Sequence, residues 1–286
     1  MSFMLKNVLV TGTSTGIGEA TALHLDELGY RVFAGVRRDA DAESLAERGS
    51  ERLHPVIVDV TDESRVETVL DDIRSIVGPA GLHGVVNNAA IAVGGPIEYL
   101  PLDYWRRQFE VNVVGLVSVT RLAMPLVRDA LGRVILVGSI GGKIATPMLG
   151  PYSASKFAVE AIADCLRMEM ADFGISVSLI EPGHTRSAIR AKGLRMIDDL
   201  EEQLPAEALE RYRPRFERIR IGLESPTGDG TDPLVVAGVI ARALRTGYPK
   251  PRYAVGRDAK LGAALARLLP DRARDALLRR LAATIE

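Results

Sequence analysis

The 286 residues are 47% hydrophobic and 26% charged, a globular composition that excludes a disordered, collagen-like or coiled-coil chain. With 36 basic and 37 acidic side chains the net charge is −1, so nucleic acid is not expected as a partner. The single cysteine, Cys165, excludes an intrachain disulfide and is expected in the core or between helices. The sequence shows neither a signal peptide nor an apolar run of about 18 residues, so a cytoplasmic protein without a membrane-spanning helix is expected.

Short segments rich in valine and isoleucine alternate with segments of helical period along the first two thirds of the chain. Unbroken apolar runs of this kind are typical of strands buried on both faces of a parallel sheet. The alternation predicts an α/β fold of the Rossmann type, a doubly wound parallel sheet of about seven strands. The predicted strands are Val8–Thr11, Arg31–Val36, Pro55–Val60, Gly84–Ala89, Arg133–Ser139, Ser176–Glu181 and Arg252–Val255.

The helix predicted after the third strand shows the helical period most clearly, and glycines mark where three of the helices should end. Its apolar stripe consists of Val66, Val69, Leu70, Ile73 and Val77. The expected stops are Gly29, Gly49 and Gly78.

No linker or internal repeat divides the chain, which predicts a single domain spanning residues 1–286. The stretch 187–230 is charged, with interspersed apolar residues, and interrupts the strand–helix rhythm, so an inserted helical lid is predicted there. Asp232 followed by Pro233 is typical of a helix N-terminus and predicts a helix through Arg245. A C-terminal helical extension is predicted over 257–286, with its leucines in helical register: Leu261, Leu265, Leu268 and Leu269.

A glycine-rich turn follows the first strand and opens a helix. Glycine permits the sharp turn and a close approach to pyrophosphate, while the helix N-terminus offers free N–H groups and partial positive charge. A purely structural turn is the alternative, but the position after the first strand favours a dinucleotide site. Its residues are Gly12, Thr13, Ser14, Thr15, Gly16, Ile17 and Gly18.

The end of the second strand bears on which dinucleotide binds. A carboxylate there would bind the adenosine ribose hydroxyls and repel a 2′-phosphate, yet none occurs before Asp39. Arg37 and Arg38 can instead bind a phosphate through charge-assisted hydrogen bonds, although two solvated arginines are the plain alternative. We therefore expect NADP(H) to be preferred and NAD(H) to remain usable.

Four further residues occur in an order that is hard to obtain by chance. Tyr152 and Lys156 lie one turn apart on the same face of a predicted helix, in the sequence YSASK. Ser139 ends the preceding strand, and Asn112 lies in the helix before that strand. In this order, and after this glycine turn, the chain from Asn7 to Arg186 resembles the short-chain dehydrogenase/reductase family.

The resemblance implies roles for individual residues. Asp59 and Val60 contact the adenine, and Asn87, in the same Asn-Asn-Ala element as Ala89, steadies the central strand near the ribose. The chain departs from the family pattern in having Ala90 where a glycine is usual and Ser187 where a threonine is usual. Family roles at the nicotinamide fall on Pro182, Gly183, Thr185 and Ser187, together with Tyr152 and Lys156.

The mechanism follows from the proton that a carbonyl oxygen needs when hydride arrives. Tyr152 is expected to give that proton, since the Lys156 ammonium together with the oxidised nicotinamide lowers the pKa of the phenol. Ser139 is expected to hold the substrate oxygen. By resemblance, Asn112 holds a water or a helix distortion that links Lys156 to solvent. The four histidines show no metal-ligand spacing, and no metal site is expected.

The expected substrate is a lipophilic alcohol or its ketone or aldehyde. Apolar lid residues would line its pocket or pack beneath the lid itself: Ile189, Leu194, Met196, Ile197 and Leu200. The end of the chain, with PRYAVG and LLPDR, is similar to the retinol and hydroxysteroid dehydrogenase branch. A 3-oxoacyl reductase of the fatty-acid type is the alternative enzyme, and a non-catalytic dinucleotide-binding redox sensor is the alternative of another class.

Two expectations concern assembly. The family pairs subunits through the helices that carry Asn112 and Tyr152, which implies a homodimer or homotetramer. The basic, leucine-bearing C-terminal helix has the pattern of a surface that touches anionic membrane, but a solvated helix packed on the domain is favoured.

Overall fold

The computed structural model describes residues 5–186, 189–224 and 230–283. Seven parallel strands form one sheet in the order β3-β2-β1-β4-β5-β6-β7. This confirms the predicted fold class. The strands are β1 Asn7–Thr11, β2 Arg31–Val36, β3 Leu53–Ile57, β4 Gly84–Asn87, β5 Arg133–Val137, β6 Ser176–Pro182 and β7 Arg252–Val255.

Helices cover both faces of the sheet. After β5 a short 3-10 turn, Ile140–Gly142, lies between Ser139 and Lys143. A π-helical segment, Glu110–Gly115, joins α4 to α5 without a break. The helices are α1 Gly16–Glu27, α2 Asp39–Arg48, α3 Glu63–Val77, α4 Leu102–Phe109, α5 Leu116–Asp129, α6 Gly150–Ala171, α7 Ile189–Gln203, α8 Ala206–Glu224, α9 Pro233–Arg245, α10 Arg257–Leu268 and α11 Asp271–Ala283.

Alternate residues of each strand enter two different cores. Val8 and Val10 pack with α1, α2 and α9, whereas Leu9 packs with α3, α5 and α6. Both faces are therefore buried, which is why the strand sequences are continuously apolar. The predicted stripe of α3 is fully buried, and Gly49 and Gly78 end α2 and α3 as expected.

The order of the strands reverses between β1 and β4. In open α/β sheets the crevice outside the carboxyl ends of the strands at such a point is where ligands bind. The glycine turn, the end of β4 and the start of α6 all lie at this edge of the sheet. Strand β3 ends at Ile57 rather than at Val60, because the Asp59 carboxylate accepts hydrogen bonds from Thr61 and closes a turn.

The predicted lid consists of α7 and α8, and Asp232 caps α9 by accepting a hydrogen bond from the Leu234 N–H. The C-terminal extension is two helices, since the chain turns at Pro270 between α10 and α11. The helical register predicted for its leucines does not bury them evenly. On α10, Ala259 and Gly262 face the domain, while Leu261 and Leu268 are exposed.

One expectation about burial is corrected. Cys165 is exposed on the outer side of α6 rather than buried, because Val159, Ala163 and Met170 are the residues of that helix that face the core.

Within the described part of the chain one stretch, Leu102–Asp129, is long and apolar enough to cross a membrane by length and composition. Its apolar window is 56% buried against the rest of the domain, as that of a core helix is.

Candidate active site

The glycine turn lies against the end of β4. Gly12 has a φ of +68°, and a Cβ built there would lie 2.6 Å from the Cα of Ala89. Only glycine fits this close approach. Within the described residues no side chain caps the first turn of α1, whose N-cap is Thr15. The N–H groups of that turn therefore remain available for an anion such as pyrophosphate.

Side chains around the turn hold it to the sheet. The Thr11 hydroxyl accepts hydrogen bonds from the backbone N–H groups of Asn88 and Ala89, both at 3.1 Å. The Asn88 amide donates to the carbonyl oxygens of Thr11 and Gly12 at 3.0 and 2.9 Å. Thr13 is buried, and its hydroxyl donates to the Gly35 carbonyl. Thr11 and Asn88 were missed as site residues, although both lie in the motifs that the sequence presents.

The two arginines after β2 are placed differently. Arg38 forms two hydrogen bonds with Asp41, at 2.9 and 2.6 Å, within the start of α2. Arg37 is exposed, and its guanidinium lies 3.9 Å from the Asp59 carboxylate. The side chain beside the predicted adenine-binding Asp59 and Val60 is therefore Arg37. The guanidinium of Arg38 is instead hydrogen-bonded to the Asp41 carboxylate.

Asn87 turns away from the crevice. Its side chain is buried and donates to the hydroxyl of Thr120 on α5 at 3.0 Å. Ala90, in contrast, is exposed at the crevice edge. Asn87 thus anchors the end of β4 to α5, which is compatible with steadying the strand as the resemblance implies.

Ser139, Tyr152 and Lys156 come together where β5 meets α6. The Ser139 hydroxyl and the Tyr152 ring meet at Gly141, where a Cβ would lie 3.4 Å from the Ser139 oxygen and 3.1 Å from the ring, and the Ser139 oxygen accepts from the Gly141 N–H at 3.0 Å. The Lys156 ammonium lies 5.9 Å from the centre of the Tyr152 ring and donates to the Val137 carbonyl at 2.8 Å. That carbonyl uses one of the three ammonium protons, which leaves two for a ligand.

Burial dominates the electrostatics of this pair. Desolvation lowers the pKa of Lys156 to about 8. Burial raises the pKa of Tyr152, and the nearby Ser139 hydroxyl opposes that shift only in part. The protein alone therefore does not lower the pKa of Tyr152. The expected lowering also requires the positive charge of a bound oxidised nicotinamide.

Asn112 lies in the π-helical segment. Its side chain accepts from the N–H of Ile91 at 2.9 Å, and donates to the Ile91 carbonyl at 3.0 Å and to the hydroxyl of Ser155 at 3.1 Å. The helix distortion that the resemblance implies is thus present at Asn112. Its side chain bonds the loop after β4 and α6.

Gln108, one turn earlier, also bonds the loop after β4, and it was not predicted from the sequence. It is fully buried, accepts from the Val93 N–H at 2.7 Å and donates to the Ile91 carbonyl at 2.9 Å. The signal that could have found it is its i, i+4 spacing to Asn112, which places both polar side chains on one face of a largely apolar helix.

The predicted nicotinamide segment follows β6. The Gly183 N–H donates to Val255, and the His184 N–H donates to the Asp258 carboxylate at the start of α10. Thr185 pairs with Thr231 in a short parallel bridge. Ser187 lies outside the described residues.

The lid packs on two loops that flank the catalytic hydroxyls. Ile197 and Leu200 of α7 are buried with Val93 and Met148, and Met196 is half-buried beside them. Ile197 and Leu200 thus pack beneath the lid, and the lining of a substrate pocket by the lid stays a prediction. The side chain of Ile189 lies outside the described residues.

Comparisons with known proteins agree with this geometry. Residues 6–197 match the family model of the short chain dehydrogenases. Retinol dehydrogenase 5 of Mus musculus is 36% identical over 282 residues, covering 95% of this chain and 87% of that protein. The NADPH-dependent 3-dehydrocapnine reductase of Ornithobacterium rhinotracheale is 35% identical over 279 residues, covering 95% of each. The crystal structure of a short-chain dehydrogenase from Streptomyces avermitilis aligns with a TM-score of 0.77 and 28% identity, covering 98% of this chain and 97% of that one.

The family match extends over the glycine turn, the end of β4, Ser139 and the start of α6. A retinol dehydrogenase aligned along nearly the whole chain confirms the branch that the C-terminal segments resemble. The crevice also has what a dinucleotide needs, namely a glycine turn too close for a Cβ and an uncapped helix N-terminus. The chain belongs to the short-chain dehydrogenase family and is an NAD(P)-dependent oxidoreductase.

Proposed function

We propose that this enzyme prefers NADP(H) and interconverts a lipophilic alcohol and its ketone or aldehyde, with Tyr152 as acid and base. The observation that carries the proposal is the meeting of the Ser139 hydroxyl and the Tyr152 ring at Gly141, with the Lys156 ammonium buried one turn further along α6. Two neighbouring hydroxyls can bind one substrate oxygen, and the ammonium supplies positive charge beside the phenol.

The cofactor, when bound, supplies or accepts the hydride. In the reducing direction Ser139 donates a hydrogen bond to the carbonyl oxygen and holds it in place. Tyr152 transfers its phenolic proton to that oxygen as negative charge develops. Lys156 then stabilises the phenolate, because attraction between charges is weakly screened in a buried site. In the oxidising direction the phenolate takes the proton of the alcohol.

The preference for NADP(H) rests on Arg37. Its exposed guanidinium stands at the end of β2, where an NAD-specific enzyme of this fold has a carboxylate. A relative of similar length is an NADPH-dependent reductase, which supports the same preference. NAD(H) remains usable, since Arg37 attracts a phosphate without excluding a hydroxyl.

The lipophilic substrate is supported by the crevice wall. Val93, Met148 and Met196 come from three segments and form one apolar cluster, in which Met148 lies two residues before the helix that carries Tyr152 and the half-buried Met196 gives the cluster an accessible apolar edge. Such a wall stabilises apolar substrates by about 25 cal/mol for each Å² removed from water. A retinol dehydrogenase among the relatives points to the same class of alcohol.

A substrate screen that follows the absorbance of the reduced cofactor tests the proposal. The set contains retinoid and hydroxysteroid alcohols with their carbonyl forms, and 3-oxoacyl thioesters as the alternative. We expect turnover of a retinoid or steroid with either dinucleotide, and a higher kcat/KM with NADP(H). Turnover of the thioesters alone would instead favour the 3-oxoacyl reductase.

Replacing Arg37 separates the cofactor preference from the rest of the proposal. Arg37→Ala should raise the dissociation constant of NADPH by roughly tenfold to a hundredfold, the worth of one charge-assisted hydrogen bond. The dissociation constant of NADH should change little. Both are measured by calorimetry. Arg38→Ala is the matched control, because Arg38 is bonded to Asp41, and equal losses for NADPH and NADH in Arg37→Ala would refute the preference.

We also infer a cytoplasmic homodimer or homotetramer. Exposed apolar side chains on α5 and α6 support self-association: Val114 precedes α5, Val117 lies on it, and Phe157 and Met168 lie on α6. The cytoplasmic location stays a prediction from the composition.

A further inference from the structure

A cluster of charged side chains lies behind the catalytic residues, on the side of α6 that faces β6 and β7. Lys143 follows the turn after Ser139, Glu160 and Asp164 lie on α6, Glu181 lies on β6 and Arg252 begins β7. Glu160 is one turn beyond Lys156, and Glu181 directly precedes Pro182 of the predicted nicotinamide segment. The cluster therefore joins four of the elements that build the active site.

Two cations bind the same two carboxyl groups. The Lys143 Nζ lies 3.0 Å from Oε2 of Glu160 and 3.0 Å from Oε1 of Glu181. The Arg252 Nε lies 2.9 Å and 3.6 Å from the same two oxygens. The side chain of Glu181 is only 3% exposed and that of Glu160 only 13%. Both carboxyl groups are thus held in the interior by the same two cations.

The hydrogen bonding of the two carboxyl groups is incomplete. Among the described residues, Oε1 of Glu160 is buried without a hydrogen-bond partner. Oε1 of Glu181 is buried as well, and the nearby Lys143 ammonium is not aligned to donate a hydrogen bond to it. An ionised carboxylate only accepts, so two of them cannot satisfy each other. A proton on one of them would create the missing donor.

The charge balance points the same way. Asp164 is held ionised, because its hydrogen bond with Arg252 lowers the pKa of its carboxyl to about 2. Arg167 binds the other oxygen of Asp164 at the outer rim of the cluster. Arg252 is divided between Asp164 and the two glutamates, so the buried pair is not matched by two full positive charges.

We propose that Glu160 and Glu181 share one proton at neutral pH, and that this shared proton holds the segment after Ser139 in its catalytic position. Burial raises the pKa of Glu181 to about 7, and the neighbouring Glu160 contributes to the rise. Burial lowers the pKa of Lys143, but its attraction to the Glu181 and Glu160 carboxyl groups outweighs that effect and raises it. Lys143 therefore stays charged while the carboxyl pair titrates.

Backbone packing connects the Glu160–Glu181 pair to the active site. A Cβ on Gly142 would lie 2.8 Å from the carbonyl oxygen of Lys156, so the turn after Ser139 lies directly on α6. Loss of the shared proton leaves two carboxylates on either side of Lys143, and their mutual repulsion shifts β6 against α6 and, with them, the turn after Ser139. Ser139, four residues before Lys143, then holds the substrate oxygen less well. This catalytic consequence rests on the proposed function, whereas the shared proton does not.

Infrared spectroscopy tests the shared proton without any substrate. At pH 6 the wild type should show the carbonyl band of one neutral carboxylic acid, which disappears with an apparent pKa near 7. Glu181→Gln and Glu160→Gln should each remove the band, and Glu169→Gln, an exposed position of α6, should retain it. The absence of the band in the wild type, or its persistence in both cluster variants, would overturn the proposal.

The pH dependence of unfolding provides the second readout. Because the folded state holds a proton that the unfolded chain releases near pH 4.5, this group stabilises the fold below about pH 4.5 and its contribution is lost as the pH rises to about 7. In Glu181→Gln the decline between these pH values should be smaller than in Glu169→Gln. Equal declines in the two variants would count against a shared proton.

Steady-state kinetics then tests the catalytic consequence. Above pH 7 the KM of the wild type for the carbonyl substrate should rise several-fold with a smaller change in kcat, and in Glu181→Gln the KM should vary less with pH. A merely structural role would lower the amount of folded enzyme and leave the pH profile of KM unchanged. If the band is present but no substrate is turned over, the proposed function fails and the shared proton stands.

Discussion

At the scale of single residues, Tyr152 and Lys156 show how burial and charge oppose each other. The interior raises the pKa of the phenol and lowers that of the ammonium, so each shift favours the neutral form. With a pKa of about 8, Lys156 still carries its charge on most molecules at neutral pH. Proton transfer by Tyr152 thus depends on the charge that a bound oxidised nicotinamide adds to that of Lys156.

Tyr152→Phe removes the transferable proton and leaves the ring in place. We expect kcat to fall by roughly 10²–10⁴-fold, the usual worth of a general acid. The affinity for NADPH, measured by calorimetry, should persist, because the glycine turn and Lys156 are untouched. Tyr248→Phe, at a position 97% exposed, serves as the control. Unchanged turnover in Tyr152→Phe would remove the proposed acid.

At the scale of elements, the continuous helix Leu102–Asp129 positions the loop after β4. Gln108 and Asn112 lie one turn apart and satisfy the backbone groups of Ile91 and Val93. The π-helical segment contains Asn112, and its wider turn differs from the α-helical spacing on either side. The loop that carries Val93 is therefore held by amide side chains rather than by a strand.

Gln108→Leu should destabilise the fold through that loop. The Val93 N–H would lose its acceptor in a buried place, and leaving one such donor unpaired costs about 1–3 kcal/mol. The free energy of unfolding is measured with urea. Arg107→Ala, on the exposed side of the same helix, should change it by less than about 0.5 kcal/mol. Equal stabilities of the two variants would mean that water replaces the amide.

At the scale of the whole molecule, α5 and α6 present apolar side chains to solvent on the side away from the sheet. Phe157 is 44% exposed and Met168 is 61% exposed, and their spacing of 11 residues places them on one face of α6. Cys165 is exposed on the same helix. A second copy of the chain would cover this surface, in keeping with the proposed homodimer or homotetramer.

Phe157→Glu places a charge in that surface. If α6 contributes to the subunit interface, sedimentation velocity should show a shift toward the monomer, since burying an unpaired carboxylate is unfavourable. Ile76→Glu, at an exposed position of α3, is the control and should leave the assembly unchanged. A wild-type chain that sediments as a monomer would refute the proposed assembly.

The sequence predicted the fold well, because its signals are local. Strands buried on both faces must be apolar throughout, and the stripe from Val66 to Val77 can only be a helix with one buried face. One strand end was missed because a short side-chain turn decides it. Val58 and Val60 are typical strand residues, yet β3 ends at Ile57 because the Asp59 side chain between them closes a turn with Thr61.

The site was predictable in part for the same reason. Tyr152 and Lys156 share a helix, so their spacing alone places them on one face, and the glycine turn is a single continuous segment. The different surroundings of Arg37 and Arg38 could not be read from their adjacency, because Asp41 and Asp59 reach them from different elements. Gln108 was missed since its partners, Ile91 and Val93, lie in another segment.

The order of residues by itself determined the family, the parallel sheet and the identity of the catalytic candidates, because helical and strand periods and tight turns depend on neighbours along the chain. Only the tertiary structure decided which charges meet. Lys143, Glu160, Glu181 and Arg252 are spread over 110 positions of the sequence, and no local pattern joins them. Their contacts arise because parallel strands and the helix between them bring distant segments to one edge of the sheet, where burial decides which groups keep their protons.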